Sequence, residues 1–183
     1  MGEVHFHIVT REPVGRPGGD RQWTAALLAN CLERLGCRPE PLQDGLKADC
    51  PHWPADAPAE IYLLLAPTSV ASVTSPACGA IPTAVVAATA RPARVVQADL
   101  ALSHALVATV DADGIAEEAG ADPLIPVLAA AVRLLAPLEA DAMRAAIWSA
   151  YDRHHPYAAR TALQAFDMAL SQAQCAPGAV FSL

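Results

Sequence analysis

The feature that most constrains this chain is an apolar stretch, followed by a glycine-rich segment and then a long amphipathic stretch. Residues 4–9 alternate apolar and histidine side chains, which predicts a first β-strand. Gly15, Gly18 and Gly19 follow, and residues 20–35 repeat apolar side chains at helical spacing. Strand, glycine-rich turn and helix in this order are typical of α/β domains, in which the helix start offers unpaired N–H groups to an anion.

The start of the first helix carries an acidic residue. Asp20 is a good N-cap and Gly36 a good residue to follow the last turn. A carboxylate at the N-cap accepts the same N–H groups that a bound phosphate would need. Two interpretations stay open, a self-capped structural turn and an anion site to which Arg16 and Arg21 lend positive charge. The candidate cofactor-binding or interface residues are Gly15, Gly18, Gly19, Asp20, Arg21 and Thr24.

The composition sets limits on the class of protein. The 183 residues fit a single domain, and 54% hydrophobic against 17% charged residues predicts a large core and a surface buried against a partner. A net charge of -7 argues against nucleic-acid binding. The longest apolar stretch, residues 124–138, is interrupted by two prolines and an arginine, so no membrane span is expected. The first residues lack a signal-peptide pattern, so we expect a cytoplasmic location.

The cysteines predict no covalent framework. Their number is odd and none of them has Cys-x-x-Cys spacing, so we expect ordinary thiols and neither disulfides nor a cysteine-bound metal cluster. The five are Cys31, Cys37, Cys50, Cys78 and Cys175.

Periodicity predicts an α/β fold of the Rossmann-like, three-layer kind, with a mostly parallel sheet and C-terminal helices. The chain is expected to form one domain over residues 1–183, with a sheet core at about 4–110 and a helical part at about 111–175. Residues 44–59 and 67–82 are expected to be irregular. Further strands are expected at 38–43, 61–66, 83–88, 94–98 and 104–110, and further helices at 111–120, 122–136, 138–154 and 156–176, the last ended by Pro177-Gly178.

Three segments resemble a known family. Residues 18–29, Gly-Gly-Asp-Arg-Gln-Trp-Thr-Ala-Ala-Leu-Leu-Ala, are similar to a Gly-Gly-Gln-Gly loop followed by a Thr-Ala-Ala and Leu-Leu-Ala helix. Residues 110–120 are similar to an Asp-bearing turn followed by an Ile-Ala-x-Glu-x-Gly helix start, and Ala165-Phe166 matches an Ala-Phe pair near the last helix. The chain thereby resembles the gamma subunit, or gamma domain, of the 2-oxoacid:ferredoxin (acceptor) oxidoreductases, which include the pyruvate, 2-oxoglutarate and indolepyruvate enzymes.

The chain departs from the family pattern at polar positions. Asp20 and Arg21 stand in place of the glutamine and second glycine of the loop, and Leu124 and Ala162 each replace an asparagine. The arginine- and glycine-rich segment of the family has no counterpart in residues 44–60. The apolar frame persists while polar residues are missing, which favours a gamma-type subunit retained as a scaffold.

The resemblance implies that catalysis takes place in partner chains. Alpha- and beta-type subunits would hold thiamine diphosphate, Mg²⁺ and iron–sulfur clusters, a ferredoxin-like carrier would take the electrons indirectly, and coenzyme A commonly takes the acyl group. This chain is expected to bind no cofactor and to carry no complete active site of its own. The alternatives are a stand-alone α/β protein that binds a small anionic ligand or nucleotide, and a structural subunit of an unrelated oxidoreductase complex.

From the remaining histidines, aspartates and sequence motifs we expect neither a catalytic site nor a metal site. His5 and His7 share one strand face, as a metal pair would, but the sequence ties no third ligand to them, so a polar contact beneath a helix or a partner is favoured. Asp111 and Asp113 are expected to cap a helix. The chain has neither a Gly-x-Ser-x-Gly motif nor a phosphate-binding Gly-Lys-Ser/Thr motif.

Overall fold

A computed structural model describes residues 2–9, 19–65, 83–151 and 156–178 of the chain. Within these ranges, seven strands form one sheet in the order β2-β3-β1-β4-β5-β6-β7. The strands are β1 Gly2–Val9, β2 Arg38–Leu42, β3 Gly45–Cys50, β4 Glu60–Leu64, β5 Thr83–Ala88, β6 Leu106–Val110 and β7 Gln174–Ala176. The helices of the described part are α1 Gly19–Arg34, α2 Ala93–Asp99, α3 Ala112–Ala119, α4 Leu124–Leu134, α5 Ala140–Tyr151 and α6 Pro156–Gln172.

The sheet has a parallel centre and antiparallel edges. β1, β4, β5 and β6 pair in parallel. β3 joins β1 antiparallel and β2 extends that edge, while β7 pairs antiparallel with β6 at the other edge. The α/β class with a parallel core is therefore confirmed, and the antiparallel additions lie outside that core.

The main core lies on one face of the sheet. Alternate residues of the strands point there, as Val4, Phe6 and Ile8 of β1 do, and all three are at most 1% exposed. α1, α3, α4, α5 and α6 contribute residues to this core. α4 is buried along residues 124–132, as expected of a helix that is apolar on all sides.

The opposite face of the sheet is apolar at β5 and β6, where α2 covers it, and mostly polar at the neighbouring strands. Val85, Ala87 and Val107 of β5 and β6 form a second apolar cluster with α2. The neighbouring strands β1, β3 and β4 place mostly polar residues on this face. We call this part of the sheet surface the histidine face. Its residues include Glu3, His5, His7, Lys47, Glu60 and Tyr62.

Most predicted elements are confirmed. β1, β2, β4, β5 and β6 lie within a few residues of their expected bounds, as do α1, α3, α4, α5 and α6. β2 contains two prolines, which an edge strand tolerates because its outward N–H groups have no partner to lose. The predicted loop at 67–82 and the last residues of the predicted helix at 138–154 lie outside the described residues.

Two predictions between the strands were wrong. Residues 44–59 were expected to be irregular, but residues 45–50 form β3, in which Leu46, Ala48 and Cys50 alternate with polar side chains. Residues 94–98 were expected to be a strand, but α2 occupies them. Val95 and Val96 suggested a strand because of their β-branched side chains, whereas Pro92 immediately before the segment fits a helix start.

The end of the last helix and the cysteine pairing also need correction. α6 ends at Gln172, before Pro177-Gly178, and residues 174–176 form β7, which is too short to leave a pattern in the sequence. Cys37 and Cys50 form a disulfide, against the expectation of ordinary thiols. Their positions directly continue the β2–β3 pairing of Arg38 with Asp49, so the hairpin brings the two sulfurs together. Disulfides are rare in cytosolic proteins, so the cytoplasmic location stays a prediction.

Candidate functional site

The predicted glycine-rich segment is described only from its end onward. Gly15 and Gly18 lie outside the described residues, and Gly19 is the first residue of α1. Asp20 is exposed within the first turn of this helix. Its expected place as the N-cap is therefore not observed, although an acidic side chain in the first turn still interacts favourably with the helix dipole.

Arg21 and Thr24 direct their side chains to nearby protein atoms. Thr24 is fully buried, and its hydroxyl donates a hydrogen bond to the Asp20 carbonyl at 2.8 Å. Arg21 Nη1 lies 3.4 Å from both the Gln43 carbonyl and Asp44 Oδ1, in the turn between β2 and β3. Arg21 Nε is buried and has no hydrogen-bond partner among the described residues. The hydroxyl of Thr24 is therefore bonded within α1, Arg21 links the start of α1 to the neighbouring turn, and the role of both residues stays a prediction.

The order of the strands places a switch point at β1. The strand lies between β3 on one side and β4 on the other, so the chain changes direction across the sheet there. In open α/β sheets, ligands bind outside the carboxyl ends of the strands at such a point. β1 and β4 lead from these ends into residues 10–18 and 66–82, which lie outside the described part. The position of the predicted site is consistent with the topology, and its role stays a prediction.

A second group of polar residues meets on the histidine face. His5 and His7 of β1 point away from the main core because Val4, Phe6 and Ile8 point into it. The parallel register pairs His5 with Glu60 and His7 with Tyr62 of β4. The side chains of His5, His7 and Glu60 are 27–33% exposed, so solvent reaches them.

The two histidines share the carboxylate of Glu60. His7 Nε2 lies 2.6 Å from Glu60 Oε2, and His5 Nδ1 lies 3.7 Å from Glu60 Oε1. One ligand atom from each of the three side chains lies within 4.8 Å of the other two. Among the described residues, this is the group of histidine, cysteine and carboxylate side chains whose spacing could hold a metal ion.

Neighbouring side chains fix the orientation of both imidazole rings. His5 Nε2 donates to Glu3 Oε1 at 2.9 Å, and Lys47 Nζ donates to the other oxygen of Glu3 at 2.8 Å. The Lys47 ammonium and then His5 lower the pKa of Glu3, whereas Glu3 raises the pKa of Lys47. The Tyr62 ring stacks on His7 with a centroid distance of 4.5 Å, and partial burial raises the pKa of the Tyr62 phenol.

Sequence reasoning identified the two histidines and missed the carboxylate. Glu60 lies 53 residues from His7 in the chain, and only the register of β1 against β4 makes them neighbours. The sequence does show that Glu60 lies at the start of a predicted strand, which was the available signal for a third ligand. It does not show which strands are adjacent. Asp111 and Asp113 were expected to cap a helix. The prediction is confirmed for Asp111, whose side chain caps α3 by accepting a hydrogen bond from Gly114 N at 3.2 Å.

A cavity of about 410 Å³ lies beside the disulfide. Cys37, Cys50, Trp53 and Glu139 contribute to its lining. Trp53 is buried and donates through Nε1 to the Pro58 carbonyl at 3.0 Å, so its polar atom is satisfied within the fold. Among the described residues that line this cavity, no acidic side chain is hydrogen-bonded to a basic one. We therefore assign the cavity no catalytic or binding role.

Comparison with known proteins gives a likeness of fold. Among the described helices, none combines the length and apolar character needed to cross a bilayer. No family model matches the chain, and no curated protein matches it by sequence. Among solved structures, it is similar to subunit PORC of pyruvate oxidoreductase from Thermotoga maritima, with a TM-score of 0.59 and 18% identity. The match covers 96% of this chain and 98% of that one, and at this identity it shows that the two chains share a fold.

Proposed function

We propose that this chain is an accessory, gamma-type component of a 2-oxoacid:acceptor oxidoreductase complex. The observation that carries the proposal is the fold shared with subunit PORC of pyruvate oxidoreductase, which extends over nearly the full length of both chains. The resemblance of residues 18–29 and 110–120 to gamma-subunit motifs supports it independently, because these were identified from the sequence alone.

In this proposal the partner subunits carry out the chemistry. The partner subunits would hold thiamine diphosphate with Mg²⁺, which would supply the chemistry for decarboxylation of the 2-oxo acid, and iron–sulfur clusters, which would carry the electrons to a ferredoxin-like acceptor. Coenzyme A is the expected acyl acceptor. This chain would brace the subunits that hold these groups, which is consistent with its high share of hydrophobic residues, 54% of the sequence.

The contact with the partner is proposed at the start of α1. Gly15, Gly18, Gly19, Asp20 and Arg21 follow the carboxyl end of β1, where ligand and cofactor sites of α/β sheets are found. A scaffold that covers such an edge would lie close to a partner's cofactor without binding it. Asp20 is exposed in the first turn of α1 and so is available for this contact.

Affinity purification of the chain from its native cell tests this proposal. The expected complex contains thiamine diphosphate and iron–sulfur clusters and oxidises a 2-oxo acid with coenzyme A and a ferredoxin or viologen acceptor. Asp20→Lys should reduce recovery of the partner chains at least tenfold. Glu118→Lys makes the same charge change at an exposed position near the end of α3 and should leave recovery unchanged.

Two results would contradict the proposal. One is a purified chain whose co-purifying proteins contain no thiamine diphosphate enzyme, and the other is a single chain that oxidises a 2-oxo acid without partners. Equal recovery of the partners with Asp20→Lys and Glu118→Lys would contradict the proposed contact at the start of α1, but not membership of the complex.

A stand-alone binding protein for a small anionic ligand is the second candidate. The buried Nε of Arg21, which has no hydrogen-bond partner among the described residues, favours it, because an anion could accept from this donor. Calorimetric titration of the isolated chain with nucleotides and coenzyme A distinguishes the two. The scaffold proposal expects no heat of binding, whereas micromolar affinity that Arg21→Gln abolishes would establish the second candidate.

A further inference from the structure

We propose that His5, His7 and Glu60 form a binding site for one divalent transition-metal ion of the zinc type. The site lies on the histidine face of the sheet, away from the start of α1, and does not depend on the proposed function. Two imidazoles and one carboxylate are a common ligand set for zinc, with three protein ligands and a fourth position left for water.

The hydrogen bonds of His5 prepare one of its nitrogens for an ion. The N–H at Nε2 donates a hydrogen bond to Glu3 Oε1 at 2.9 Å, so in the neutral imidazole Nδ1 carries a lone pair. That nitrogen lies 3.7 Å from Glu60 Oε1, a carboxylate oxygen. Two acceptors facing each other repel unless a proton or a metal ion lies between them. The distance is longer than an N–H···O hydrogen bond and leaves room for a bridging ion.

The spacing of the three side chains is compatible with coordination of one ion, since one ligand atom from each lies within 4.8 Å of the other two. Zinc–nitrogen and zinc–oxygen bonds of about 2.0–2.2 Å place adjacent ligand atoms roughly 3.3–3.6 Å apart. The His5 Nδ1–Glu60 Oε1 distance of 3.7 Å is close to this, and His7 Nε2 lies 2.6 Å from Glu60 Oε2. Binding requires the proton on His7 Nε2 to move to Nδ1 or to solvent. Zinc ligand spacing then requires this pair to separate by about 0.7–1.0 Å.

Residues that do not coordinate the ion hold the ligands in place. Metal-binding histidines usually donate their second N–H to a carboxylate, and Glu3 accepts that bond from His5. Lys47 pairs with Glu3 at 2.8 Å, and Glu60 is the carboxylate that faces both rings. Tyr62 stacks on His7 and restricts its ring plane. The arrangement therefore orients both imidazoles before an ion arrives.

The donor atoms also indicate which ions the site would take. Imidazole nitrogen suits zinc, copper, nickel and iron, whereas Mg²⁺ and Ca²⁺ prefer sites built from oxygen alone. Exposure of 27–33% for the three side chains gives an ion from solution direct access. The fourth position would hold a water molecule.

The test is titration of the tag-free, full-length chain with Zn²⁺ and Co²⁺ after treatment with a chelator. One ion per chain is expected, with no binding of Mg²⁺ at the same concentration. His7→Ala and Glu60→Gln should each weaken the affinity at least tenfold. His52→Ala removes an exposed histidine outside the group and should leave the affinity unchanged. Circular dichroism and thermal unfolding confirm that each variant is folded.

The visible spectrum of the Co²⁺ complex identifies the ligands in the unaltered chain. Intense bands of a tetrahedral ion without sulfur-to-metal charge transfer support the site. A charge-transfer band, or a tenfold loss of affinity with Cys175→Ser, would place the ion at a cysteine and overturn the proposal. Failure of the chain to take up either ion, or equal affinity in His7→Ala and the unaltered chain, would overturn it as well.

Discussion

At the scale of single residues, Gly45 determines how closely β1 and β3 can approach. It pairs with His7 at the start of β3, and its φ of +157° lies at the limit of the region that favours glycine. A Cβ atom at this position would lie 1.9 Å from the Phe6 carbonyl oxygen. Backbone atoms cannot move aside as a flexible side chain can, so the pairing that supports the histidine face requires glycine here.

Gly45→Ala should therefore destabilise the fold strongly. We expect a loss of about 3 kcal/mol in the free energy of unfolding, because the new methyl group forces β1 and β3 apart. Gly36→Ala is the matched control, since Gly36 also has a positive φ of +77°. Beyond its own chain neighbours, no atom of the described residues lies within 4 Å of its added Cβ. Its cost should be about 1 kcal/mol from backbone strain alone. Equal midpoints in urea unfolding for the two variants would contradict the proposed clash.

At the scale of elements, α3 shows how local side-chain chemistry sets a helix start. Asp111 follows β6 and its carboxylate accepts from Gly114 N at 3.2 Å. Gly120 ends the helix in the left-handed conformation with φ of 67°. Both positions were identified from the sequence because N-caps and C-terminal glycines act within one turn of the chain. α2 was missed since its start at Pro92 has no side-chain cap hydrogen bond.

Asp111→Ala should lower the free energy of unfolding by about 1 kcal/mol, the usual cost of a lost N-cap. Asp111→Asn keeps an acceptor oxygen and should change it by no more than about 0.3 kcal/mol. Denaturant unfolding of the two variants beside the unaltered protein makes the comparison. A loss of the same size in both variants would assign the effect to the negative charge near the helix dipole and not to the hydrogen bond.

At the scale of the whole molecule, the sheet has a main core that is closed to solvent on one face, and both apolar and polar surface on the other. Cys31 lies in the closed core at 0% exposure, and its burial raises the pKa of its thiol to about 12. Burial also raises the pKa of Cys175, but this residue is exposed on β7. In the unfolded chain the Cys31 thiol ionises near its ordinary pKa of 9.0, so folding stability falls as the pH rises above that value.

Thiol labelling measures this separation. In a Cys78→Ser background, iodoacetamide at pH 8.5 should modify Cys175 and leave Cys31 unmodified, because reaction needs an accessible thiolate. Cys37 and Cys50 are joined and should stay unmodified until a reductant is added. Unfolding in guanidinium chloride is the positive control and should expose Cys31. Labelling of Cys31 at the rate of Cys175 in the folded protein would contradict the closed core.

The sequence predicted those parts of the fold that depend on neighbouring residues. The alternation of Val4, Phe6 and Ile8 with histidines fixed which face of β1 is buried, and the confirmed helices followed from a spacing that repeats within a few turns. β3 carried a similar alternation at Leu46 and Ala48, but the prolines on both sides of it obscured the pattern. β7 has three residues and exists because β6 offers it a pairing edge.

Residues on different strands were brought together by the tertiary structure alone. The sequence by itself determined the α/β class, the glycine-rich start of α1 and the presence of two histidines on one strand face, because these arise from contacts along a short stretch of chain. The strand order β3-β1-β4 decided that Glu60 meets His5 and His7 and that the β2–β3 hairpin pairs Cys37 with Cys50. Strand adjacency depends on the packing of the whole sheet, and periodicity within one segment contains no information about which segment lies beside it.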